Sequence, residues 1–165
     1  VSNLDAAADN RLFKSRAFWE NIEAEDILVV QTDAVPCASS PFRLDEFRHF
    51  GYIGCAYGDK VGRNTYWGQW GFYGSGGLSF RKRSFMLSCT DRYPPGTEPG
   101  AEDVAFSECM AASEGPKPTA QDLLKFCTQN AHGAPSWGAH KVGSQMKAWP
   151  QKLAFYAYCP AALPV

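Results

Sequence analysis

One acidic residue, Asp33, stands at the end of an apolar run in the N-terminal part of the chain. Residues Ile27–Val30 are continuous and rich in β-branched side chains, and Gln31 and Thr32 separate them from the acid. Such a run predicts a strand buried on both faces, and open α/β sheets bind ligands beyond the carboxyl ends of their strands. An acid there can hold a divalent cation or a sugar hydroxyl, although an isolated acid is more often a turn former or a helix cap.

A glycine-rich segment, Gly74–Gly77, precedes Leu78–Arg81 and is the second candidate. Its glycines allow backbone N–H groups to approach a ligand closely, and glycine turns can bind anions. The spacing is not that of a dinucleotide-binding fingerprint, and no buried strand leads directly into it. The segment therefore predicts either a ligand-binding turn or a plain one.

Two adjacent acids, Glu102 and Asp103, begin a predicted helix after a proline-rich loop. Acids in a first helical turn interact favourably with the positive end of the helix dipole, which explains them without any chemistry. The alternative is a general base, a carboxylate that removes a proton from an acceptor hydroxyl as a bond forms.

A histidine beside a lysine, His140 and Lys141, is the fourth candidate. The imidazole could bind a metal ion or a phosphate. A surface histidine, or a core histidine with its hydrogen bonds satisfied, is the commoner outcome.

The elements that must position these residues alternate between helix and strand. Apolar residues recur at helical spacing over residues 10–22, 102–112 and 120–129, with Asp9 or Asn10 capping the first helix and Thr119 and Asp122 resembling a capping box for the third. The other predicted elements are short helices over 44–50 and 81–89, strands over 52–55 and 78–80, loops over 57–77, 91–100 and 132–138, and a final apolar helix or extended tail over 146–158 with a break at Pro150. This order predicts an α/β fold with a mixed sheet.

The composition is that of one globular domain. The 165 residues are 45% hydrophobic and 20% charged, with a net charge of −1, and a chain of this length buries about two thirds of its unfolded surface. The scattered basic residues exclude nucleic acid as a partner, and no apolar run approaches the roughly 20 residues of a transmembrane segment.

Six cysteines are spread along the chain without the spacing of a zinc site. Their even number permits three disulfides in an oxidising compartment, and their apolar neighbourhoods are equally typical of buried free thiols. Both states, and with them the compartment, stay open at this point.

Seven segments, taken in order, resemble the DUF5672 family. They are NRLFKS (residues 10–15), FW (18–19), ILVVQTDAVPC (27–37), YIG (52–54), GSGGLSFRKRS (74–84), EDVAFS (102–107) and GAHK (138–141). That family is similar to glycosyltransferases of the GT-A fold. The resemblance implies one GT-A-like domain over residues 1–165, with a mixed sheet flanked by helices.

The resemblance also implies a role for each candidate residue. Asp33 stands where GT-A enzymes have a metal-binding acid, and His140 would reach the same Mn²⁺ or Mg²⁺ ion. Asp103, together with Glu102, would be the catalytic base. The implied substrate-binding residues are Thr32, Trp70, Gly74, Ser75, Gly76, Gly77, Arg81 and Lys141.

Three features depart from the family pattern. Gln31 occupies the place of the first acid of the DxD motif, which leaves the metal to Asp33 and distant ligands. Val142 and Gly143 stand where the family usually has Pro-Trp. Only nine residues precede the first predicted helix, so we expect the C-terminal part of the full fold without its nucleotide-binding first part, ending in a helix or tail over residues 142–165.

The resemblance implies a glycosyltransferase that moves a sugar from a nucleotide-sugar donor to an acceptor hydroxyl on a glycan or protein, with inversion and with a divalent cation. The apparent lack of the first part of the fold favours an alternative, an inactive glycosyltransferase-like structural or interaction subunit that other protein chains complete or use. A third hypothesis is a secreted carbohydrate-binding module with Tyr66, Trp67 and Trp70 as stacking platforms, which three disulfides would support. Nucleotide-sugar chemistry favours the secretory lumen, Golgi or ER, over the cytosol.

Overall fold

A computed structural model of the chain describes residues 4–57, 74–92, 100–130 and 134–163. Its helices are α1 (Ala6–Phe13), α2 (Arg16–Glu20), α3 (Arg83–Arg92), α4 (Glu102–Ala112), α5 (Ala120–Phe126), α6 (Val142–Gln145) and α7 (Trp149–Tyr158), with short 3₁₀ helices at Leu44–Phe47 and Pro160–Ala162. Its strands are β1 (Asp26–Val30), β2 (Ala34–Pro36), β3 (Tyr52–Ala56), β4 (Gly74–Lys82), β5 (Cys127–Thr128) and β6 (Gly138–His140).

The six strands form one mixed sheet in the order β1-β4-β3-β5-β6-β2. The pairs β1/β4, β3/β4 and β2/β6 are antiparallel, whereas β3/β5 and β5/β6 are parallel. The predicted mixed α/β sheet with flanking helices is confirmed. None of the helices in the described ranges has both the length and the apolar character needed to cross a bilayer.

The predicted burial of the first strand is wrong. Among the described strands, β1 pairs only with β4 and lies at one end of the sheet, where Leu28 and Val30 are 38% and 50% exposed. Its other apolar side chains, Ile27 and Val29, pack against the main core. The strand is therefore half-buried at an edge, and the β-branched run does not mark an inner strand.

The single helix predicted over residues 10–22 is two helices, α1 and α2. The indole N–H of Trp19 in α2 donates to the Phe13 carbonyl at the end of α1, with an N···O distance of 2.6 Å, and this bond fixes the bend between them. The N-terminus of α1 is capped by Asp5, whose side chain accepts a hydrogen bond from the Ala8 N–H. The predicted caps, Asp9 and Asn10, lie inside α1.

The glycine-rich segment is strand and not loop, because Gly74–Gly77 begin β4. The predicted helix after it starts later, at Arg83. The helix predicted over 120–129 ends at Phe126, where the chain passes directly into β5, and its predicted capping box at Thr119 is confirmed. Pro150 lies in the first turn of α7, where it interrupts no hydrogen bond, so the predicted break is wrong.

The cysteines form three disulfides, Cys37–Cys159, Cys55–Cys127 and Cys89–Cys109. Cys55–Cys127 ties β3 to β5 inside the main core. Cys37–Cys159 ties the segment after β2 to the end of α7, within a second, smaller apolar cluster that also holds Val142, Met146 and Phe155. The C-terminal helix is thus attached to the β2/β6 end of the sheet.

Candidate functional site

A cleft of about 520 Å³ opens at the β2/β6 end of the sheet. It is lined by Thr32, Asp33, Val35, Ala139, Lys141, Val142, Gly143, Ser144, Ala161, Ala162 and Leu163. Three of the predicted site residues, Thr32, Asp33 and Lys141, are therefore on its wall. Most of the lining residues are apolar or small, and Ala161, Ala162 and Leu163 belong to the C-terminal segment that follows the Cys37–Cys159 disulfide.

The turn that presents Asp33 joins β1 to β2. The Ala34 N–H donates to the Gln31 carbonyl at 3.0 Å, which leaves Thr32 and Asp33 as the central residues of the turn. Asp33 is thus a turn former, the common role of an isolated acid. Its side chain is 48% exposed and still reaches the imidazole of His140, with 3.4 Å between Oδ1 and Nε2.

Lys141 adopts a left-handed backbone conformation with φ of 53°, the one such non-glycine residue among those described. Its N–H donates to the Asp33 carbonyl at 3.0 Å. A non-glycine residue in this region costs roughly 1–3 kcal/mol and is often found at functional sites. The strained residue ties the end of β6 to the turn that carries the acid.

His140 is buried with both ring nitrogens in polar contacts. Its Nδ1 lies 3.1 Å from Oε1 of Gln129 and 3.3 Å from Oγ of Ser75, whose hydroxyl donates to the same Gln129 oxygen at 2.5 Å. Its Nε2 lies 3.3 Å from Oε1 of Gln31 in addition to the Asp33 carboxylate. The side-chain N–H₂ of Gln129 is buried without a hydrogen-bond partner.

The environment keeps His140 neutral. Burial, followed by the positive charge of Lys141, lowers the pKa of His140 from 6.5 to about 4, against the opposing effect of the Asp33 carboxylate. A neutral imidazole has a lone pair on one nitrogen, which is the form that binds metal ions.

The glycines of β4 make room for the polar groups on either side of them. A Cβ on Gly77 would lie 2.1 Å from His140 Nε2 and 2.5 Å from Gln31 Oε1, and one on Gly76 would lie 1.8 Å from Oε1 of Glu102. The strand is irregular here, because its pairing with β3 shifts between Ser75 and Ser79. Such bulges are common beside active sites.

Arg81 and Glu102 form a buried ion pair on the Gly76 side of this bulge. Two guanidinium N–H groups donate to the two Glu102 carboxylate oxygens at 2.9 and 3.1 Å, and Nε donates to Ser79 Oγ at 2.8 Å. The guanidinium is fully buried, and the rings that lie 4.6–5.7 Å from it are Phe13, Trp19, Tyr52 and Phe106. Burial raises the pKa of the Glu102 carboxyl, and the charge of Arg81 offsets part of that effect.

The family model described as "Protein of unknown function (DUF5672)" matches residues 4–140. The chain belongs to the DUF5672 family. No curated protein and no solved structure matches it significantly. The matched DUF5672 region contains Asp33, His140 and the glycines of β4, whereas most residues that line the cleft follow it, between 141 and 163.

The other predicted site residues of this DUF5672 chain lie apart from the cleft or outside the described residues. Asp103 is half-buried in the first turn of α4, its Oδ1 accepts from the Val104 N–H at 2.9 Å, and the described lining of the cleft does not include it. Trp70, like Tyr66 and Trp67, lies outside the described residues. The roles of Asp103 and Trp70 stay predictions.

Sequence reasoning missed two residues that hold the site together, Asp9 and Gln129. Asp9 accepts from the side-chain N–H₂ of Gln31 at 3.2 Å, and its neighbour Asn10 accepts from the Glu102 N–H at 2.8 Å. The first helix of the DUF5672 domain, α1, therefore contacts both Gln31 beside the cleft and Glu102 of the buried ion pair. No local pattern marks these residues, because their partners are distant in the sequence.

The donor set around Asp33 fits a divalent cation only if an amide oxygen is counted. In the described part of the chain, no group of three or more His, Cys, Asp or Glu side chains could share an ion. Asp33 Oδ1 and Gln31 Oε1 nevertheless lie 3.4 and 3.3 Å from the Nε2 atom of His140. Atoms that share a cation at about 2.1 Å lie roughly 3.0–3.4 Å apart, since neighbouring ligands subtend roughly 90–110°.

Proposed function

We propose that this DUF5672 chain is a glycosyltransferase-like domain that moves a sugar from a nucleotide-sugar donor to an acceptor hydroxyl, with inversion and with a bound Mn²⁺ or Mg²⁺ ion. The single observation that carries the proposal is the approach of Asp33 Oδ1 and Gln31 Oε1 to His140 Nε2, with Asp33 on the wall of the cleft. The six-stranded mixed sheet with flanking helices is compatible with a GT-A-like arrangement.

The chemistry of the donor set supports a divalent cation at this place. Mg²⁺ and Mn²⁺ prefer oxygen ligands, and neutral imidazole is a common additional ligand of transition metals. Asp33 supplies the negative charge, and its half-exposed side chain leaves room for further ligands from a donor. When bound, the ion would neutralise the charge that develops on a departing diphosphate.

The remaining residues of the site have separate tasks in this proposal. Lys141 would contact the diphosphate beside Asp33, and Thr32 would hydrogen-bond to the donor from the same turn. The acceptor hydroxyl would lose its proton to a carboxylate while its oxygen attacks the anomeric carbon. The family resemblance implies Asp103 for this role, although the described lining of the cleft does not include it. The bond to the diphosphate oxygen would break with its electron pair leaving on the nucleoside diphosphate. A single displacement of this kind inverts the configuration.

Glu102 and Arg81 have structural tasks in the proposal. Because the two side chains are buried and paired with each other, neither is free to take a proton or to bind phosphate. We assign the base to Asp103 alone. The three disulfides support an oxidising compartment such as the secretory lumen.

The buried Arg81–Glu102 pair also favours a second candidate, a glycosyltransferase-like subunit without activity that serves an assembly of protein chains. In that case one of the two predicted catalytic acids is retained only for folding. The Asp33 site would then have no turnover.

Release of nucleoside diphosphate from UDP- or GDP-sugars in the presence of Mn²⁺ and glycan acceptors tests the enzyme proposal. We expect release by the wild type, loss of metal-dependent donor binding in Asp33→Asn, and loss of transfer with donor binding intact in Asp103→Asn. The thermal midpoint of Asp33→Asn should hardly change, since the side chain is half exposed. A wild-type protein that binds Mn²⁺ but turns over no donor would contradict the enzyme proposal and favour the inactive subunit.

A further inference from the structure

The exposed side of α7 is apolar, although its opposite side already supplies Phe155 to the smaller apolar cluster. Every exposed residue between positions 148 and 163 is apolar except Gln151. The three largest of them, Trp149, Leu153 and Leu163, are 61%, 50% and 50% exposed. We call these exposed apolar residues the α7 face. A surface helix normally turns charged or polar residues to water, so the α7 face has the character of a surface that a partner covers.

Positive charge lies beside the α7 face. All 17 acidic residues of the chain precede residue 123, whereas Lys141, Lys147 and Lys152 follow it. The ammonium groups of Lys147 and Lys152 each donate to a backbone carbonyl of α6 at 2.7 Å, which holds both charges close to the start of α7. Asp33, the one acid among the described residues that line the adjoining cleft, lies beside Lys141. The charges that remain for a partner are therefore those of Lys147 and Lys152.

The placement of Trp149 and Lys152 is that of a helix at a lipid–water interface. Lys152 Nζ lies 5.9 Å from the centre of the Trp149 ring, so the aromatic ring and the ammonium group share one side of α7. In interfacial helices, tryptophan and leucine enter the boundary between headgroups and acyl chains, while lysines extend their charges to anionic headgroups. Trp149 and Leu153, one helical turn apart, supply the apolar part of this arrangement, and Lys147 and Lys152 supply the charge.

The remainder of the α7 face favours a lipid surface over a protein partner. Small residues stand between its large side chains, among them Ala154, Ala157 and Pro160. Protein–protein interfaces depend on large anchors seated in pockets and on about one hydrogen bond per 100–200 Å². A lipid surface needs neither, because it adapts to the side chains that enter it. Symmetric pairing with a second copy would bring the same lysines of the two copies together, which like charges oppose.

We propose that the α7 face docks on an anionic lipid surface, with Trp149 and Leu153 between the lipid headgroups. The ammonium groups of Lys147 and Lys152 contact the negative charges of those headgroups. The Cys37–Cys159 disulfide joins the end of α7 to the segment after β2, so docking orients the whole domain. This docking goes beyond the proposed sugar transfer and needs no bound cation.

Sedimentation of the disulfide-intact full chain with lipid vesicles measures this docking. Vesicles of phosphatidylcholine with phosphatidylserine are compared with vesicles of phosphatidylcholine alone, at about 0.1 M and about 1 M salt. We expect binding to the anionic vesicles at the lower salt concentration and much weaker binding in the other conditions. Trp149→Gln combined with Leu153→Gln should weaken binding about 10-fold or more, and Lys147→Gln should weaken it about 5-fold.

Two matched variants serve as controls. Leu12→Gln makes the same change at a partly exposed leucine of α1, and Lys117→Gln removes an exposed lysine between α4 and α5. Both should bind anionic vesicles as the wild type does. None of these variants changes a residue that lines the cleft.

Four results would overturn the docking. They are absence of binding to anionic vesicles, equal binding to both kinds of vesicle, unchanged binding in the variant with both Trp149→Gln and Leu153→Gln, and unchanged binding in Lys147→Gln. Binding of the wild type to soluble polyglutamate but to no vesicle would replace the lipid with an acidic protein partner. A wild-type dimer that the double variant abolishes, again without vesicle binding, would replace it with a second copy. Release of nucleoside diphosphate by a wild type that binds no vesicle would leave the proposed function standing.

Discussion

Replacing Arg81 with Met removes the positive charge from a buried ion pair and should destabilise the fold strongly. The Arg81 and Glu102 side chains are 0% and 8% exposed, so the remaining Glu102 carboxylate would have neither its cation nor water. Breaking such a pair costs about 3–5 kcal/mol. The bonds from the guanidinium to Ser79 Oγ and the Gly76 carbonyl are lost as well.

Urea denaturation of the disulfide-intact protein, followed by circular dichroism, measures this loss. In Arg81→Met the folded-state pKa of Glu102 rises well above its unfolded value, so the unfolded state binds fewer protons than the folded state between these two values. Stability should therefore fall as pH rises through that window, by up to about 1.4 kcal/mol per pH unit. The loss of free energy of unfolding in Arg81→Met is thus larger at pH 7 than at pH 5. Combining the substitution with Glu102→Leu should recover more than half of the loss, because no charge is left buried.

The matched control is Arg43→Met, since the Arg43 side chain is 81% exposed and its contact with Asp45 is 3.6 Å long. Its effect should stay within about 0.5 kcal/mol. A loss below about 1 kcal/mol in Arg81→Met at pH 7 would refute the buried pair as a stabilising unit. Glu102 would then again be a candidate base.

Three further predictions concern stability. The pKa of His140 is lowered from 6.5 to about 4 in the folded protein, so the unfolded state binds the proton more tightly. The free energy of unfolding of the wild type should therefore fall by about 2 kcal/mol as the pH drops from above 6.5 to 5. His140→Gln should lack this part of the pH dependence in urea titrations. Gly77→Ala should cost about 1–3 kcal/mol and weaken Mn²⁺ binding, because its Cβ would overlap Nε2 of His140, whereas Gly115→Ala, which meets open space, should do neither in the same titrations. Thr119→Ala should lower the free energy of unfolding by about 1 kcal/mol through loss of the α5 cap, and an unchanged thermal midpoint would contradict that role.

Features with local causes could be predicted from the sequence. The capping box at Thr119 depends on residues three apart, and the apolar spacing of Glu102–Ala112 gives the bounds of α4. The position of β1 could not be predicted, because Leu28 and Val30 are apolar although they face outwards at a sheet edge. An apolar run alone cannot distinguish an inner strand from an edge strand.

Features that depend on distant partners could not be predicted. The segment Gly74–Gly77 has a low strand propensity, yet it pairs with β3, and the neighbouring groups leave no space for a Cβ at Gly74, Gly76 or Gly77. Gln129 and Asp9 join the site through partners far away in the sequence. Six cysteines allow 15 pairings, which sequence alone does not resolve. The candidate acid Asp33 could be found from the sequence because it comes three residues after the end of a strand.

The most direct test of the central claim is a calorimetric titration of the protein with UDP and with GDP, with and without Mn²⁺, for the wild type and Asp33→Asn. We expect one of the two nucleotides to bind the wild type only when Mn²⁺ is present, and Asp33→Asn to lose this binding while keeping its thermal midpoint. If neither nucleotide binds the wild type with Mn²⁺, or if Asp33→Asn binds as the wild type does, the Asp33 site does not hold a cation and a diphosphate.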